Sequence, residues 1–94
     1  MIRNYGSKRT ARFARGERVR EFDAFAEQAR GRLAQLIAAT SLSDLAAVPG
    51  NRLEVLRGDR AGQHSIRINK QWRICFVWND HDSCAERVEI VDYH

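Results

Sequence analysis

Trp72-Arg73-Ile74-Cys75-Phe76-Val77-Trp78 sets an apolar side chain at every second position, with no glycine or proline to interrupt the run. Aromatic and β-branched residues at a period of two read as a half-buried strand. Trp72, Ile74, Phe76 and Trp78 fall on one face, and Arg73, Cys75 and Val77 on the other. The aromatic row reads as core. Arg73, in the opposite row, is costly to desolvate unless it has a partner or lies in a wet groove. The partner that spacing offers is Asp92 on the next strand.

Working outward from this strand, Asn79-Asp80-His81-Asp82-Ser83 is a polar turn, and Glu86 to Tyr93 alternates as a further strand. Its apolar pattern runs nearly to Val91-Asp92-Tyr93-His94. Chain ends usually fray, so a patterned ending carries the expectation that this acid, phenol and imidazole are held with the sheet. Upstream, Leu53 to Arg57 and Gln63 to Asn69 read as two more strands around the turn Gly58-Asp59-Arg60-Ala61-Gly62.

The first half of the chain has a different period. Ile2 to Tyr5 reads as a short opening strand, and Ser7 as the N-cap of a basic helix ending near Gly16. Phe22, Phe25, Ala26, Ala29, Leu33, Leu36 and Ile37 recur at three- and four-residue intervals, predicting one helix over 21–39 whose apolar stripe is core. Ser41-Leu42-Ser43-Asp44 and Pro49-Gly50-Asn51 read as a connection. Helices followed by a strand meander predict an α+β fold, with N-terminal helices packed on one face of a small antiparallel sheet. The other face is left open for function, and 1–94 is expected to form a single domain.

Composition narrows the class. A chain of 94 residues with 44% hydrophobic and 30% charged residues is folded rather than disordered. The net charge of +4 is unevenly spread. Residues 1–20 hold seven bases against one acid and residues 50–73 six against two, whereas 74–94 hold one base and five acids. Fourteen of the sixteen bases are arginine, whose planar fork suits bidentate phosphate binding. A solvated basic surface explains the same charge equally well. No apolar run has the length of a signal or membrane segment, so the expectation is a cytoplasmic protein with no membrane partner. Cys75 and Cys84 fall about 10 Å or more apart in the expected hairpin, too far for a disulfide. His64, His81 and His94 lack metal-ligand spacing.

Three stretches, Leu53-Glu54-Val55-Leu56-Arg57-Gly58-Asp59-Arg60-Ala61-Gly62-Gln63-His64-Ser65-Ile66-Arg67, Gln71-Trp72-Arg73-Ile74-Cys75-Phe76 and Val91-Asp92-Tyr93-His94, occur in an order that resembles the HigB branch of the RelE/ParE superfamily of toxins. The resemblance covers essentially the whole chain. It implies a RelE-like microbial RNase fold and a toxin of a type II toxin-antitoxin module. The implied activity is ribosome-dependent, metal-independent endoribonuclease cleavage of translated mRNA in the A site, with no cofactor. The implied partners are a HigA-like helix-turn-helix antitoxin and the ribosome with its mRNA and 16S rRNA. A sister branch inhibits DNA gyrase, and a noncatalytic nucleic-acid-binding module would need only the basic blocks. Arg73 together with Asp92-Tyr93-His94 favours a nuclease over both.

Cutting RNA without metal requires a base for the ribose 2′-OH, positive charge for the phosphorane and an acid for the leaving oxygen. His94 has the residue type for proton transfer near neutral pH, and Arg73 can hold two phosphate oxygens. By resemblance Arg57, Arg73, Asp92, Tyr93 and His94 match catalytic positions, with Tyr93 as a surface for base stacking. This chain has Glu54 where several relatives have His, and Arg57 where they have Lys. The acid-base pair is therefore either Glu54 with His94 or His94 alone, and Glu54 reads equally as a surface residue orienting Arg52 or Arg57. Arg52, Arg60, Arg67 and Lys70 are the expected RNA-binding positions around them. Lys8, Arg9, Arg12 and Arg15 on the first helix suit ribosomal RNA or an acidic antitoxin surface equally.

Overall fold

A computed structural model describes residues 1–93; His94 lies outside the described residues. Helix α1 (Lys8–Ala14) starts at Ser7, whose hydroxyl accepts from the Thr10 amide at 3.3 Å. It stops before Gly16, where φ is 97°. A 3₁₀ turn over Arg20–Phe25 leads into α2 (Ala26–Ala38), and a short α3 follows at Leu42–Ala46. A second 3₁₀ turn, Pro49–Asn51, delivers the chain to the sheet.

The single helix expected over 21–39 is thus two elements. Spacings of three and four suit an α-helix, but Phe22 and Phe25 are three apart and eclipse in a three-residue turn. Both rings then enter one aromatic cluster: Phe22 lies 5.3 Å from Phe13 and 5.7 Å from Trp72, and Phe25 lies 4.9 Å from Trp72. The expected connection at 41–44 is likewise a helix start. Ser41 Oγ accepts from the Asp44 amide at 3.2 Å, and Asp44 reaches back to the Thr40 amide at 2.9 Å. Ser-x-x-Asp is a capping-box signal.

The sheet is an antiparallel meander in the order β1-β2-β3-β4, with β1 at Glu54–Val55, β2 at His64–Arg67, β3 at Trp72–Asn79 and β4 at Cys84–Asp92. This is the α+β architecture expected from sequence. Ile74 and Phe76 are fully buried under the helices with Phe22, Leu33, Leu36, Ile66, Val88 and Ile90, and Trp72 and Trp78 pack against them. Thr10 fastens α1 to β4, its buried hydroxyl accepting from the Ile90 amide at 3.0 Å. Leu56, Cys75 and Val91, with Tyr93 packed on them, form a smaller apolar patch on the other face.

Three strands are shorter than expected, β2 covering only His64–Arg67 of the 63–69 stretch. Only Glu54 and Val55 of the 53–57 stretch pair with β2 as a ladder; Arg52 before them is left-handed, with φ 45°, and Leu56 after them donates to the Gln63 carbonyl at 2.9 Å. The opening stretch makes two isolated parallel bridges to β4, Ile2 with Ala85 and Tyr5 with Val88. Between them Arg87, at φ 53°, bulges out of β4, and its amide is taken by the Asn4 side chain at 2.6 Å. The bulge inserts one residue into β4 between the pairs Val77–Glu86 and Cys75–Glu89.

That extra residue decides which side chains meet. Had the register set near the turn continued, Asp92 would stand opposite Gln71, on the face of Arg73. The bulge instead pairs Asp92 with Trp72 and Val91 with Arg73. A one-residue shift exchanges the two faces of a strand.

Candidate functional site

Arg73 projects from β3 on the face away from the helices and is 8% exposed. Its Nε donates to Ser65 Oγ at 2.7 Å, and its Nη2 donates to the Arg52 carbonyl at 2.7 Å and to the Ser65 carbonyl at 3.4 Å. Ser65 comes from β2, directly across from Cys75 and next to Arg67, the residue opposite Arg73. The Glu54 carboxylate lies 3.9 Å from Nη2 as the nearest counter-charge, and is half exposed. The guanidinium carbon sits 5.8 Å from the Tyr93 ring centroid, within cation–π range. Among the described residues Nη1 makes no hydrogen bond.

Around this arginine Arg52, Glu54, Arg67, Asn69, Lys70 and Tyr93 line an open cleft of about 330 Å³. The strand register assembles it. Glu54 stands opposite Ser65, and Arg67 stands opposite Arg73, so acid and bases share one face. Tyr93 closes the side, its hydroxyl donating to Glu54 Oε1 at 3.4 Å. Asn69 holds the β2–β3 turn, its Oδ1 accepting from the Gln71 and Trp72 amides at 2.8 Å each.

The charge balance is unusual. Like charges directly opposite on a sheet repel, yet Arg67 faces Arg73, with Arg52 and Lys70 on the same rim and Glu54 as the one acid of the lining among the described residues. Arg52, Arg67 and Lys70 have no ion pair among the described residues. The N-terminal basic block behaves differently: Arg9 pairs with Glu21, Arg12 and Arg15 with Glu17, and Arg18 with Asp23. Arg3 pairs with Asp82 and Glu86. Among the described residues, then, Arg52, Arg67 and Lys70 of the cleft carry charge without an ion pair, as Lys8 does on the first helix, whose arginines are paired. A polyanion entering the cleft would relieve the charge there.

Of the positions singled out in the sequence, Arg73, Glu54, Tyr93, Arg52, Arg67 and Lys70 converge. Arg57 is exposed at the start of the 3₁₀ turn Gly58–Arg60 and does not line the cleft. Arg60 turns instead to Glu89 at 3.4 Å and Gln63 at 3.2 Å. Asp92 leaves β4 on the side of Trp72 and accepts from Gln71 Nε2 at 2.9 Å. The partners expected for Arg73 are accordingly corrected: Ser65, the Arg52 carbonyl and Glu54 hold it. The position of His94 falls outside the described residues.

Two contributors escaped the sequence reading. Ser65 is fully buried, a signal only in retrospect, since one small polar residue in a strand marks nothing by itself. Asn69 is a turn residue whose place on the cleft rim depends on register. Burial pushes the Cys75 thiol up from its ordinary value, which keeps it protonated as an apolar filler behind the arginine. Among the described residues no three His, Cys, Asp or Glu side chains cluster as metal ligands would.

Comparison with known proteins places this geometry in a family. Residues 5–94 match the family model described as RelE-like toxin of type II toxin-antitoxin system HigB. Toxin HigB-1 of Vibrio cholerae is 53% identical over 45 residues, 48% of this chain and 47% of that protein. The match thus spans about half the length of this curated relative. The YoeB-YefM complex from Staphylococcus aureus contains a chain with the same fold, at a TM-score of 0.57 and 15% identity over 100% of this chain and 98% of that one. A cationic cleft built on the free face of a RelE-like sheet is thus carried by a chain that belongs to the HigB-like family, the RelE-like toxins of type II toxin-antitoxin systems.

Proposed function

We propose that this toxin is an endoribonuclease that enters the ribosomal A site and cuts translated mRNA without metal, so arresting translation and growth. The observation that carries the reading is Arg73: a nearly buried guanidinium fixed through Nε and Nη2, with no hydrogen bond at Nη1 among the described residues, at the centre of a cleft rimmed by Arg52, Arg67 and Lys70. Such a fork suits a phosphate that gains charge during reaction, where one preorganised donor is worth roughly 3–4 kcal/mol.

In this proposal the 2′-OH attacks the adjacent phosphorus and the bond to the departing 5′ oxygen breaks, giving a 2′,3′-cyclic phosphate and a 5′-hydroxyl. Glu54 takes the 2′-OH proton, its carboxylate standing half-exposed 3.9 Å from Arg73 Nη2 at the cleft. His94 supplies the proton to the leaving oxygen, an assignment made from the sequence. Tyr93 offers its ring to a base, and Arg52, Arg67 and Lys70 hold flanking phosphates. Arg57 and Arg60 belong to the wider contact with ribosomal RNA. Asp92 fastens the end of β4 through Gln71 and takes no part in the proton transfers.

The partner that silences it is proposed to be a HigA-like helix-turn-helix antitoxin, and the compartment the cytoplasm, where ribosomes are reached. Inducing the chain in bacteria and mapping new mRNA 5′ ends tests the reading. Cuts in phase with codons, sharply slowed in Arg73→Ala, are expected. Growth arrest with intact mRNA and inhibited gyrase supercoiling would replace it with the gyrase reading.

A further inference from the structure

The buried turn Pro49–Asn51 leads directly into the backbone that holds the central arginine. Arg73 Nη2 is held by a backbone carbonyl, that of Arg52, and a carbonyl points correctly only while its own residue keeps its conformation. Arg52 keeps an unfavourable one, φ 45° and ψ 56°. A non-glycine residue stays there only where its surroundings hold it. The residue before it, Asn51, is fully buried, and its Nδ2 donates both to Gln35 Oε1 on α2 at 2.7 Å and to the Leu45 carbonyl of α3 at 3.0 Å. Its backbone amide closes the 3₁₀ turn onto the Val48 carbonyl at 3.0 Å.

Helix α2 grips the same turn a second time. Arg32, one helical turn before Gln35, donates from Nε to the Arg67 carbonyl at 2.9 Å and from Nη2 to the Gly50 carbonyl at 3.5 Å. The backbones bearing two cations of the cleft, Arg52 and Arg67, are therefore braced from one face of one helix.

We propose that Asn51 is a positioning residue of the site: its side-chain amide, clamped between Gln35 and Leu45, holds Arg52 in its left-handed conformation and thereby points the Arg52 carbonyl at Arg73. The inference rests on the reading of Arg73 as the phosphate-binding group, and it assigns Asn51 no contact with RNA. A buried amide that only stabilised the helices would be as costly to lose, but would not be coupled to Arg73.

Two measurements on the full chain separate these roles. The first is solvent exchange of the Arg73 Nε–H, followed by ¹⁵N NMR in the wild type, in Asn51→Ala and in Leu45→Ala, a core truncation that keeps the Leu45 carbonyl. Exchange about tenfold faster in Asn51→Ala, beyond any change in Leu45→Ala at matched stability, is expected. Equal exchange in Asn51→Ala and wild type overturns the proposal. The second is a double-mutant cycle on mRNA cleavage by programmed ribosomes. Asn51→Ala is expected to lower kcat about tenfold or more with KM little changed when Arg73 is present, and to do nothing further in an Arg73→Ala background. The same factor in both backgrounds overturns it. If no variant cleaves mRNA, the nuclease reading falls, while the exchange measurement alone supports or overturns the role of Asn51.

Discussion

Arg73 Nη2 donates to the backbone carbonyl of Arg52 across 2.7 Å, so the central cation of the cleft is fixed by main chain rather than by an acid. The neighbouring Nε is fixed by a neutral hydroxyl, Ser65 Oγ. Neutral acceptors leave the charge of the guanidinium uncancelled, which an anion-binding group requires. The Glu54 carboxylate, the one acid that lines the cleft among the described residues, stands off at 3.9 Å.

Replacing Arg73 by Lys keeps one charge and removes the fork. A single ammonium does not satisfy Ser65 Oγ and the Arg52 carbonyl and still present a donor to a phosphate. Cleavage of ribosome-bound mRNA is expected to fall on the order of 10²-fold or more. Stability is expected to fall by about 1–3 kcal/mol as buried acceptors lose partners. Single-turnover kinetics and urea denaturation measure the two effects separately.

Arg52 separates backbone strain from side-chain charge. Glycine adopts φ 45° freely, so Arg52→Gly is expected to stay within about 1 kcal/mol of wild-type stability, whereas Arg52→Val should lose roughly 1–3 kcal/mol. Both variants remove one phosphate contact, so the salt dependence of RNA binding should lose about one unit of log–log slope in each. Denaturation curves and a binding titration across salt concentrations check the two orders.

The face on which Arg73 lies was legible because β3 is an unbroken period-two strand: Trp72, Ile74 and Phe76 leave no other assignment. Its partners were not legible. They depend on a left-handed residue, Arg52, and on a bulge at Arg87 that moves Asp92 to the other face. The bulge did leave a trace in the order of residues. Ala85 joins the helix-side core from an odd position and Val88 and Ile90 from even ones, a parity change that a regular strand does not allow. Phe22 and Phe25, three apart, fitted an α-helix and a 3₁₀ turn equally, so only packing against Phe13 and Trp72 distinguished them. Glu54, Tyr93, Arg67 and Lys70 were recognised by resemblance and residue type, and the register of β1, β2 and β3 brought them together.

Thr10 tests the docking of α1 on the sheet. Thr10→Val keeps the shape and removes the acceptor for the Ile90 amide, leaving a buried N–H unpaired. A loss of about 1–3 kcal/mol in unfolding free energy is expected. Cleavage by the folded fraction should be unchanged, because Thr10 lies behind β4 and does not line the cleft.

The Arg3–Asp82 pair ties the opening stretch to the β3–β4 turn. The Arg3 guanidinium, and then His81, hold the Asp82 carboxyl below the ordinary carboxylate value. A carboxyl depressed in the folded state stabilises it fully above its unfolded pKa, about pH 4, and ceases to do so as pH falls through the lower folded value. Carboxyl ¹³C titration should show Asp82 titrating below that point in the wild type. In Arg3→Ala the midpoint should move upward towards the ordinary value. An unchanged midpoint would remove the pair from the fold's acid response.

The most direct test of the cleft as an RNA-cleaving site is chemical. Ribosomes programmed with an mRNA carrying a single 2′-deoxynucleotide 5′ to the scissile phosphate in the A-site codon are mixed with the purified toxin, beside the all-ribose message. Cleavage of the ribose message to a 2′,3′-cyclic phosphate and a 5′-hydroxyl, abolished by the one missing 2′-OH, is the expected result. Cutting of the deoxy-substituted message at the normal rate, or products ending in a 5′-phosphate, would contradict it.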